Sequence, residues 1–197
     1  MITLRKKFYI TTFVFMLITV LFPITMTLSA RTINPAVIEA GYYGEQAKHP
    51  GVTLGIGVVL LQNEWYQLTP TVRLGWYIHP QDHQSLFIET GIRQKATLPS
   101  GLFAEVTGAV GFLISRPHRK AQINNKTKPL VNKPLSWSPK FMVSAYGGVG
   151  WLLLDNFDIP LEPYINVGTF LETSFNSSWT SHTVLDTGVR NYILGVK

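Results

Sequence analysis

The sequence contains no cysteine and few charged residues, and each absence excludes a class of protein. Without cysteine, the chain has no disulfides, no thiolate nucleophile, no cysteine-ligated zinc and no lipid attachment through an N-terminal thiol. Charged residues make up 14% of the 197 residues, against about 25% in ordinary soluble domains. Because hydrophobic residues reach 46%, the composition disfavours a fully water-exposed surface.

The first thirty residues have the features of a secretory signal peptide. Basic residues at 5–7 precede an uncharged apolar run at 8–22 and a small-residue cleavage site that ends at Ala30. The run is shorter than the ~20 residues of a membrane-spanning helix and is followed by Pro23. We therefore expect cleavage at this site, which leaves residues 31–197 as one mature domain. A retained membrane anchor is the alternative interpretation.

Beyond the signal peptide, apolar and polar side chains alternate with the period of two that is typical of β-strands. In the segment LTPTVRLGWYIHP, Val72, Leu74 and Trp76 share one face, while Thr71 and Arg73 share the other. Short segments rich in turn-forming residues separate most strands, so neighbouring strands are expected to be antiparallel. The eight predicted strands are 36–43, 52–60, 68–80, 85–93, 102–115, 141–151, 161–172 and 183–196.

The composition of the two strand faces indicates which medium each face meets. The polar face carries mainly Thr, Ser, Gly, Tyr and Ala, which suit a narrow lumen better than bulk water. The strands are long enough for the ~9–11 residues that cross a bilayer, and aromatic residues cluster near their ends. We therefore predict an all-β protein, an eight-stranded antiparallel transmembrane β-barrel of the outer membrane. A soluble periplasmic lipocalin-like carrier, with the apolar face inside, is the alternative.

Charged residues on the polar face are expected to pair with one another, because eight strands enclose a lumen that side chains fill. A filled lumen excludes a wide pore. The predicted lumen charge network comprises Arg73, Glu89, Arg93, Glu105, Glu162, Glu172 and Arg190, with Asp186 as a further acidic partner.

Four short motifs resemble those of a bacterial protein family. They are His49-Pro50-Gly51 before a glycine-rich strand, Leu68-Thr69-Pro70, the Gly-x-Tyr-x-His strand end at 75–79, and Ser100-Gly101-Leu102-Phe103. Over about residues 47–175, the chain is similar to an uncharacterised family of Bacteroidetes outer-membrane β-barrel proteins. The resemblance implies a barrel and an outer-membrane location, and it implies no activity and no functional residues.

One connection, the segment 116–139, is long and strongly basic. With a periplasmic N-terminus, it lies outside the cell. A basic loop attracts anions, so contact with lipopolysaccharide phosphates or another polyanion is one hypothesis, and a merely solvated loop is the other. Nucleic acid is not expected as a partner of an exported chain. The candidate polyanion-binding residues are Arg116, Arg119, Lys120, Lys126, Lys128, Lys133 and Lys140.

Histidines and serines near the predicted outer rim are the remaining candidates for metal binding or catalysis. Imidazoles gathered there suit zinc or copper binding or a general base, but no tight spacing such as His-Glu-x-x-His supports a metal site. Ser85 and Ser115 each lie near a histidine and lack a fixed third catalytic partner. We therefore expect no enzyme activity, cofactor or metal, and predict a structural or surface-interaction role, with a lipid-modifying outer-membrane enzyme as the alternative. The histidines are His49, His79, His83, His118 and His182.

Overall fold

The computed structural model describes residues 35–45, 49–79, 83–117, 137–153, 160–173 and 178–193. The predicted signal peptide and most of the basic connection lie outside these ranges. A helix with the length and hydropathy of a membrane span does not occur among the described residues. The strands are β1 Ala36–Glu45, β2 Gly51–Val58, β3 Leu61–Gln62, β4 Tyr66–His79, β5 His83–Thr97, β6 Leu102–Pro117, β7 Ser138–Trp151, β8 Leu161–Thr173 and β9 Thr180–Ile193.

The strands close into one antiparallel barrel. From β4 to β9, each strand pairs with its neighbours along the chain, while β1 pairs with both β9 and β2. The ring closes where β2 pairs with β4, and the two-residue β3 continues β2 along β4 after a break at Val59 and Leu60. Since β2 and β3 form one wall strand, eight strands surround the lumen and each has two neighbours. This confirms the predicted fold, an eight-stranded antiparallel β-barrel.

All eight predicted strands are present, with shifts at their ends. The last strand begins at Thr180 and is described to Ile193, whereas the sequence predicted 183–196. The long connection is shorter than the predicted 116–139, because β6 continues to Pro117 and β7 begins at Ser138. The extension of β6 follows from its ladder with β5, which runs on as far as the pair of His83 and Pro117.

The two ends of the barrel are defined by the strand directions. The proximal end is where β1 begins at Ala36, and the distal end is where β1 finishes at Glu45. Exposed tryptophans lie near both ends of the wall: Trp65 and Trp151 at the proximal end, and Trp137 and Trp179 at the distal end. These aromatic side chains form the two belts that the sequence predicts for strand ends.

Side chains alternate between the outer wall and the lumen as the sequence pattern predicts. Arg73 is 2% exposed, whereas the next residue, Leu74, is 52% exposed. The polar face therefore lines the lumen, which is the reverse of a lipocalin-like barrel. The exposed apolar wall includes Ile38, Val52, Leu54, Ile56, Val72, Leu86, Ile88, Ile92, Val110, Val149, Ile165, Val167 and Val189.

The lumen is filled by side chains that differ along the barrel axis. Charged residues occupy its middle, and an apolar layer lies between them and the distal end. Gly75 makes room for this layer, since a Cβ at that position would overlap the ring of Phe87. The apolar layer comprises Tyr43, Tyr77, Phe87, Leu113, Met142, Tyr146, Phe170 and Val184.

Candidate functional site

Strand register brings opposite charges together in the middle of the lumen. Arg73 on β4 lies opposite Glu89 on β5. Arg190 on β9 lies opposite Glu39 on β1 and, on its other side, opposite Glu162 on β8. Because directly opposed residues of neighbouring strands are only about 5 Å apart, each pairing follows from the ladder itself. We call the resulting set of buried charges the central network.

Arg190 donates hydrogen bonds to three carboxylates of the central network. Its Nη2 donates to Glu105 Oε1 at 2.6 Å, and its Nη1 donates to Glu105 Oε2 at 2.8 Å. It also donates to Glu162 Oε1 at 2.8 Å and to Glu39 Oε2 at 3.1 Å. The centroid of the Tyr164 ring lies 3.9 Å from the guanidinium carbon, which adds a cation–π contact. A planar guanidinium suits this set, because it presents several donors in fixed directions.

Arg73 forms a second centre of the central network. Its Nη1 donates to Asp186 Oδ2 at 2.7 Å, and its Nε forms an ion pair with Glu89 Oε1 at 3.0 Å. Glu89 also accepts a hydrogen bond from Ser144 Oγ at 2.6 Å. The ring of Tyr146, a member of the apolar layer, lies 4.8 Å from the guanidinium carbon of Arg73.

Arg93 and Lys95 complete the central network toward the proximal end. Arg93 donates to Glu39 and lies 3.9 Å from Glu105. Lys95 Nζ donates to Glu162 Oε2 at 2.6 Å and to the Tyr192 hydroxyl at 2.5 Å. Four basic side chains therefore meet five carboxylates, so the buried charges largely compensate one another.

The central network contains six of the seven lumen residues predicted from the sequence. Glu172 is the exception, because its side chain points inward near the distal end and pairs with Lys140. Sequence reasoning missed Glu39, which lies in a weakly patterned strand, and Lys95. Lys95 has the same strand parity as Arg93, so extending the alternation of β5 by two residues would have found it.

A second polar group, the distal cluster, lies on the other side of the apolar layer. His182 Nδ1 is 2.5 Å from Glu45 Oε1, and its Nε2 is 3.5 Å from Glu172 Oε1. Lys140 Nζ donates to the same oxygen of Glu172. One imidazole and one ammonium group therefore compensate two carboxylates that are almost fully buried.

Three further histidines of the distal cluster stack on one another. The ring centroids of His49 and His79 are 3.6 Å apart, and those of His79 and His83 are 5.4 Å apart. His118 lies outside the described residues. Among the described residues, no group of three or more His, Asp or Glu side chains is arranged to hold a metal ion. Stacking presents ring faces to one another, so it does not direct the ring nitrogens toward a common point.

The candidate polyanion-binding residues divide into three groups. Arg116 is exposed on the outer wall at the distal end of β6. Lys140 differs from the prediction, because it shares strand parity with Met142 and Ser144 and therefore faces the lumen, where it pairs with Glu172. Arg119, Lys120, Lys126, Lys128 and Lys133 lie outside the described residues.

The two candidate serines face each other inside the barrel. Ser85 and Ser115 are opposed across β5 and β6, and their hydroxyl oxygens are 2.9 Å apart. Both residues are buried. Their hydroxyls therefore point away from the outer wall, where acyl chains of membrane lipids would lie.

Comparison with known proteins relates the chain to β-barrels by structure and not by sequence. No protein-family model and no curated protein matches the chain. It is similar to Neisserial surface protein A, with a TM-score of 0.54 and 9% identity over 80% of this chain and 96% of that one. It is also similar to the N-terminal β-barrel domain of Pseudomonas aeruginosa OprF, with a TM-score of 0.54 and 13% identity over 81% and 98% of the two chains. These likenesses support the fold alone, and the resemblance to the Bacteroidetes family stays a prediction.

Proposed function

We propose that the protein is a small outer-membrane β-barrel with a structural role, in which a rigid lipid-embedded wall supports the distal connections. The observation that carries the proposal is the contrast between the outer and inner faces of that wall. Apolar side chains face outward around the barrel, whereas the charges of the central network are buried inside it. An apolar belt bounded by aromatic residues suits a bilayer, while in water it would be a large exposed apolar surface.

The filled lumen favours a structural role over transport. A solute that entered from the proximal end would meet the paired charges around Arg190, and beyond them the apolar layer that contains Phe87 and Leu113. Passage would require these buried pairs to separate and the apolar layer to repack. Eight-stranded barrels are narrow enough for side chains to fill them in this way.

Electrophoresis and extraction test the membrane assignment. A closed barrel resists detergent, so the unboiled and boiled protein should migrate differently on a denaturing gel. The protein should also stay with the membrane fraction in high salt. Identical mobility together with release by high salt would contradict the proposal and favour a soluble periplasmic carrier.

We also propose that the basic distal residues contact lipopolysaccharide phosphates or another polyanion. Support comes from the exposed position of Arg116 at the distal end and from the basic, acid-free sequence that follows it. Several exposed positive charges together attract a polyanion, and this attraction weakens as the salt concentration rises.

A matched pair of variants tests this contact with purified lipopolysaccharide. Serine at Arg116 and at the five basic residues of 118–136 should weaken the binding and reduce its salt dependence. Lys140→Gln is the control, because Lys140 is engaged with Glu172 inside the barrel. Unchanged binding by the six-residue variant would remove this partner and leave the structural role.

Lipid analysis distinguishes the structural role from a lipid-modifying enzyme. The buried positions of Ser85 and Ser115 support the non-enzymatic proposal, since an acyl-transfer nucleophile must reach lipid at the outer wall. Cells with and without the gene should therefore have the same acyl-chain pattern in their outer-membrane lipids. A reproducible difference that the purified protein restores would favour the enzyme.

A further inference from the structure

One charged side chain of the described strands lies on the outer wall of the barrel. Among the described strand residues, every other Asp, Glu, Lys or Arg side chain is directed into the lumen, whereas Arg116 is exposed near the distal end of β6. Its partner in the ladder with β5 is Gln84, whose amide also lies on the outer wall. Because no acidic side chain of the described strands shares this wall, the surface around Arg116 suits an anion from the surroundings.

Aromatic rings continue the same surface from Arg116 toward the middle of the wall. Phe112, which is 56% exposed, lies four positions from Arg116 and therefore about 13 Å away along β6. Phe141 of β7 is directly opposite Phe112, and their ring centroids are 5.9 Å apart. The ring of Trp179, just before β9, follows at 6.2 Å from that of Phe141. Both contacts are edge to face, so the three rings form a continuous apolar surface, which we call the aromatic row.

The charged and apolar parts of this surface are arranged like the parts of a lipid. Trp137 directly precedes Ser138, which pairs with Ser115. Arg116 is therefore level with a tryptophan of the distal belt. Belt residues lie at the headgroup level of a bilayer, where lipid phosphates are found. A guanidinium binds phosphate through two parallel hydrogen bonds, and the Gln84 amide adds a further donor. The aromatic row, farther from the distal end, then faces the acyl chains.

We propose that this surface binds the phosphorylated lipid portion of lipopolysaccharide. Arg116 and Gln84 hold a phosphate, and the aromatic row holds acyl chains. The proposal rests on the outer-membrane location and the polyanion contact proposed above, and it places the specific part of that contact on the barrel wall. Lipopolysaccharide carries several acyl chains on one phosphorylated unit, so it can cover a row that extends from β6 to the start of β9, whereas a phospholipid with two chains covers less of it. This lipid site comprises Gln84, Phe112, Arg116, Phe141 and Trp179.

Fluorophores attached at two positions of the full folded chain test the lipid site. The chain has no native cysteine, so Val143→Cys and Leu54→Cys each carry one label on the outer wall. Val143 lies two positions from Phe141, whereas Leu54 lies on β2, which three strands separate from β7 in either direction. In phosphatidylcholine vesicles, added lipopolysaccharide that retains only its phosphorylated lipid portion should change the fluorescence of the label at Val143→Cys saturably and that at Leu54→Cys only slightly. Equal responses, or no saturable response at Val143→Cys, would overturn the proposal.

Substitutions in the Val143→Cys background separate the two parts of the lipid site. Arg116→Gln should weaken lipopolysaccharide binding at least about fivefold, because a charge-assisted contact with phosphate is lost. Phe112→Leu should weaken it at least about threefold. Tyr42→Leu is the matched control, since Tyr42 is an outward-facing aromatic residue on β1, which three strands separate from β6 in either direction. The control should change the binding by less than about 1.5-fold, and an equal loss in the control would overturn the proposal.

The same assay distinguishes the lipid site from the broader polyanion contact. If the six-residue serine variant weakens binding while Arg116→Gln and Phe112→Leu do not, the polyanion contact stands and the lipid site is overturned. If none of these variants weakens binding, both proposals are overturned. Phosphatidylglycerol that binds as tightly as lipopolysaccharide, with the same response to the variants, would overturn the choice of lipid.

One acidic residue near the lipid site in the sequence, Asp82, lies outside the described residues. Asp82→Asn should bind lipopolysaccharide at least as tightly as the unmodified chain, because an acid beside Arg116 competes with phosphate for its donors. Weaker binding by this variant would contradict the role given to Arg116. Where a substitution prevents folding, the comparison of labels at Val143→Cys and Leu54→Cys, which leaves every residue of the lipid site in place, still decides.

Discussion

Replacing Arg190 with methionine tests how much the central network stabilises the barrel. Methionine fills much of the same space but cannot donate to Glu39, Glu105 or Glu162. Removing one partner of a buried ion pair costs about 3–5 kcal/mol, because the remaining charge is left uncompensated. Glu39 keeps Arg93 and Glu162 keeps Lys95.

Glu105 is therefore the carboxylate that loses most of its charge compensation in Arg190→Met. That carboxylate keeps a hydrogen bond from Asn166 at 2.8 Å and a longer ion pair with Arg93 at 3.9 Å. We expect the free energy of unfolding to decrease by about 4 kcal/mol, near the middle of the range for a broken buried pair. Adding Glu105→Gln should recover part of that loss, because it removes the uncompensated charge.

The assay is equilibrium unfolding by urea in lipid vesicles, followed through tryptophan fluorescence. The control is Val189→Leu, which changes the neighbouring residue on the exposed outer wall. The control should lie within about 0.5 kcal/mol of the unmodified protein. A loss below about 1 kcal/mol for Arg190→Met, or no recovery in the double variant, would refute the role given to the network.

Two further pairs of substitutions are measured by the same unfolding assay. Gly75→Ala should destabilise the barrel by about 1–3 kcal/mol because its Cβ meets the Phe87 ring, whereas Gly147→Ala should be tolerated since its Cβ would meet only a backbone oxygen at 3.8 Å. Leu74→Arg should cost about 2–4 kcal/mol if the outer wall faces the middle of the bilayer, and Leu102→Arg, at the proximal end, about 1 kcal/mol or less. Equal costs for the two arginine variants would contradict the lipid assignment of the wall.

The direction of each side chain was predictable from the sequence because alternation is a local property of a strand. Arg73 and Leu74 lie inside and outside as their positions in the pattern require. The set of inward charges was likewise predictable wherever the alternation was strong. Glu39 was missed because its strand has a weak pattern.

The particular partners were not predictable, because they depend on how the barrel closes. Arg190 and Glu105 are separated by 85 residues and lie on strands that are not neighbours. Their contact depends on how far each strand is shifted relative to its neighbours around the closed barrel. A local sequence pattern does not determine that shift. For the same reason, Glu172 could be placed inside but not assigned to Lys140, and Lys140 was mistaken for an exposed residue of the basic connection.

Spin labelling of one inward-facing and one outward-facing residue of β4 in lipid vesicles tests the central claim most directly. The chain has no native cysteine, so Thr71→Cys and Leu74→Cys each provide a single attachment site. The label at Leu74→Cys should collide readily with oxygen dissolved in lipid and rarely with a water-soluble nickel complex. The label at Thr71→Cys, inside the filled lumen, should be shielded from both. A label at Leu74→Cys that is accessible to nickel and poorly accessible to oxygen would contradict a barrel whose apolar wall faces lipid.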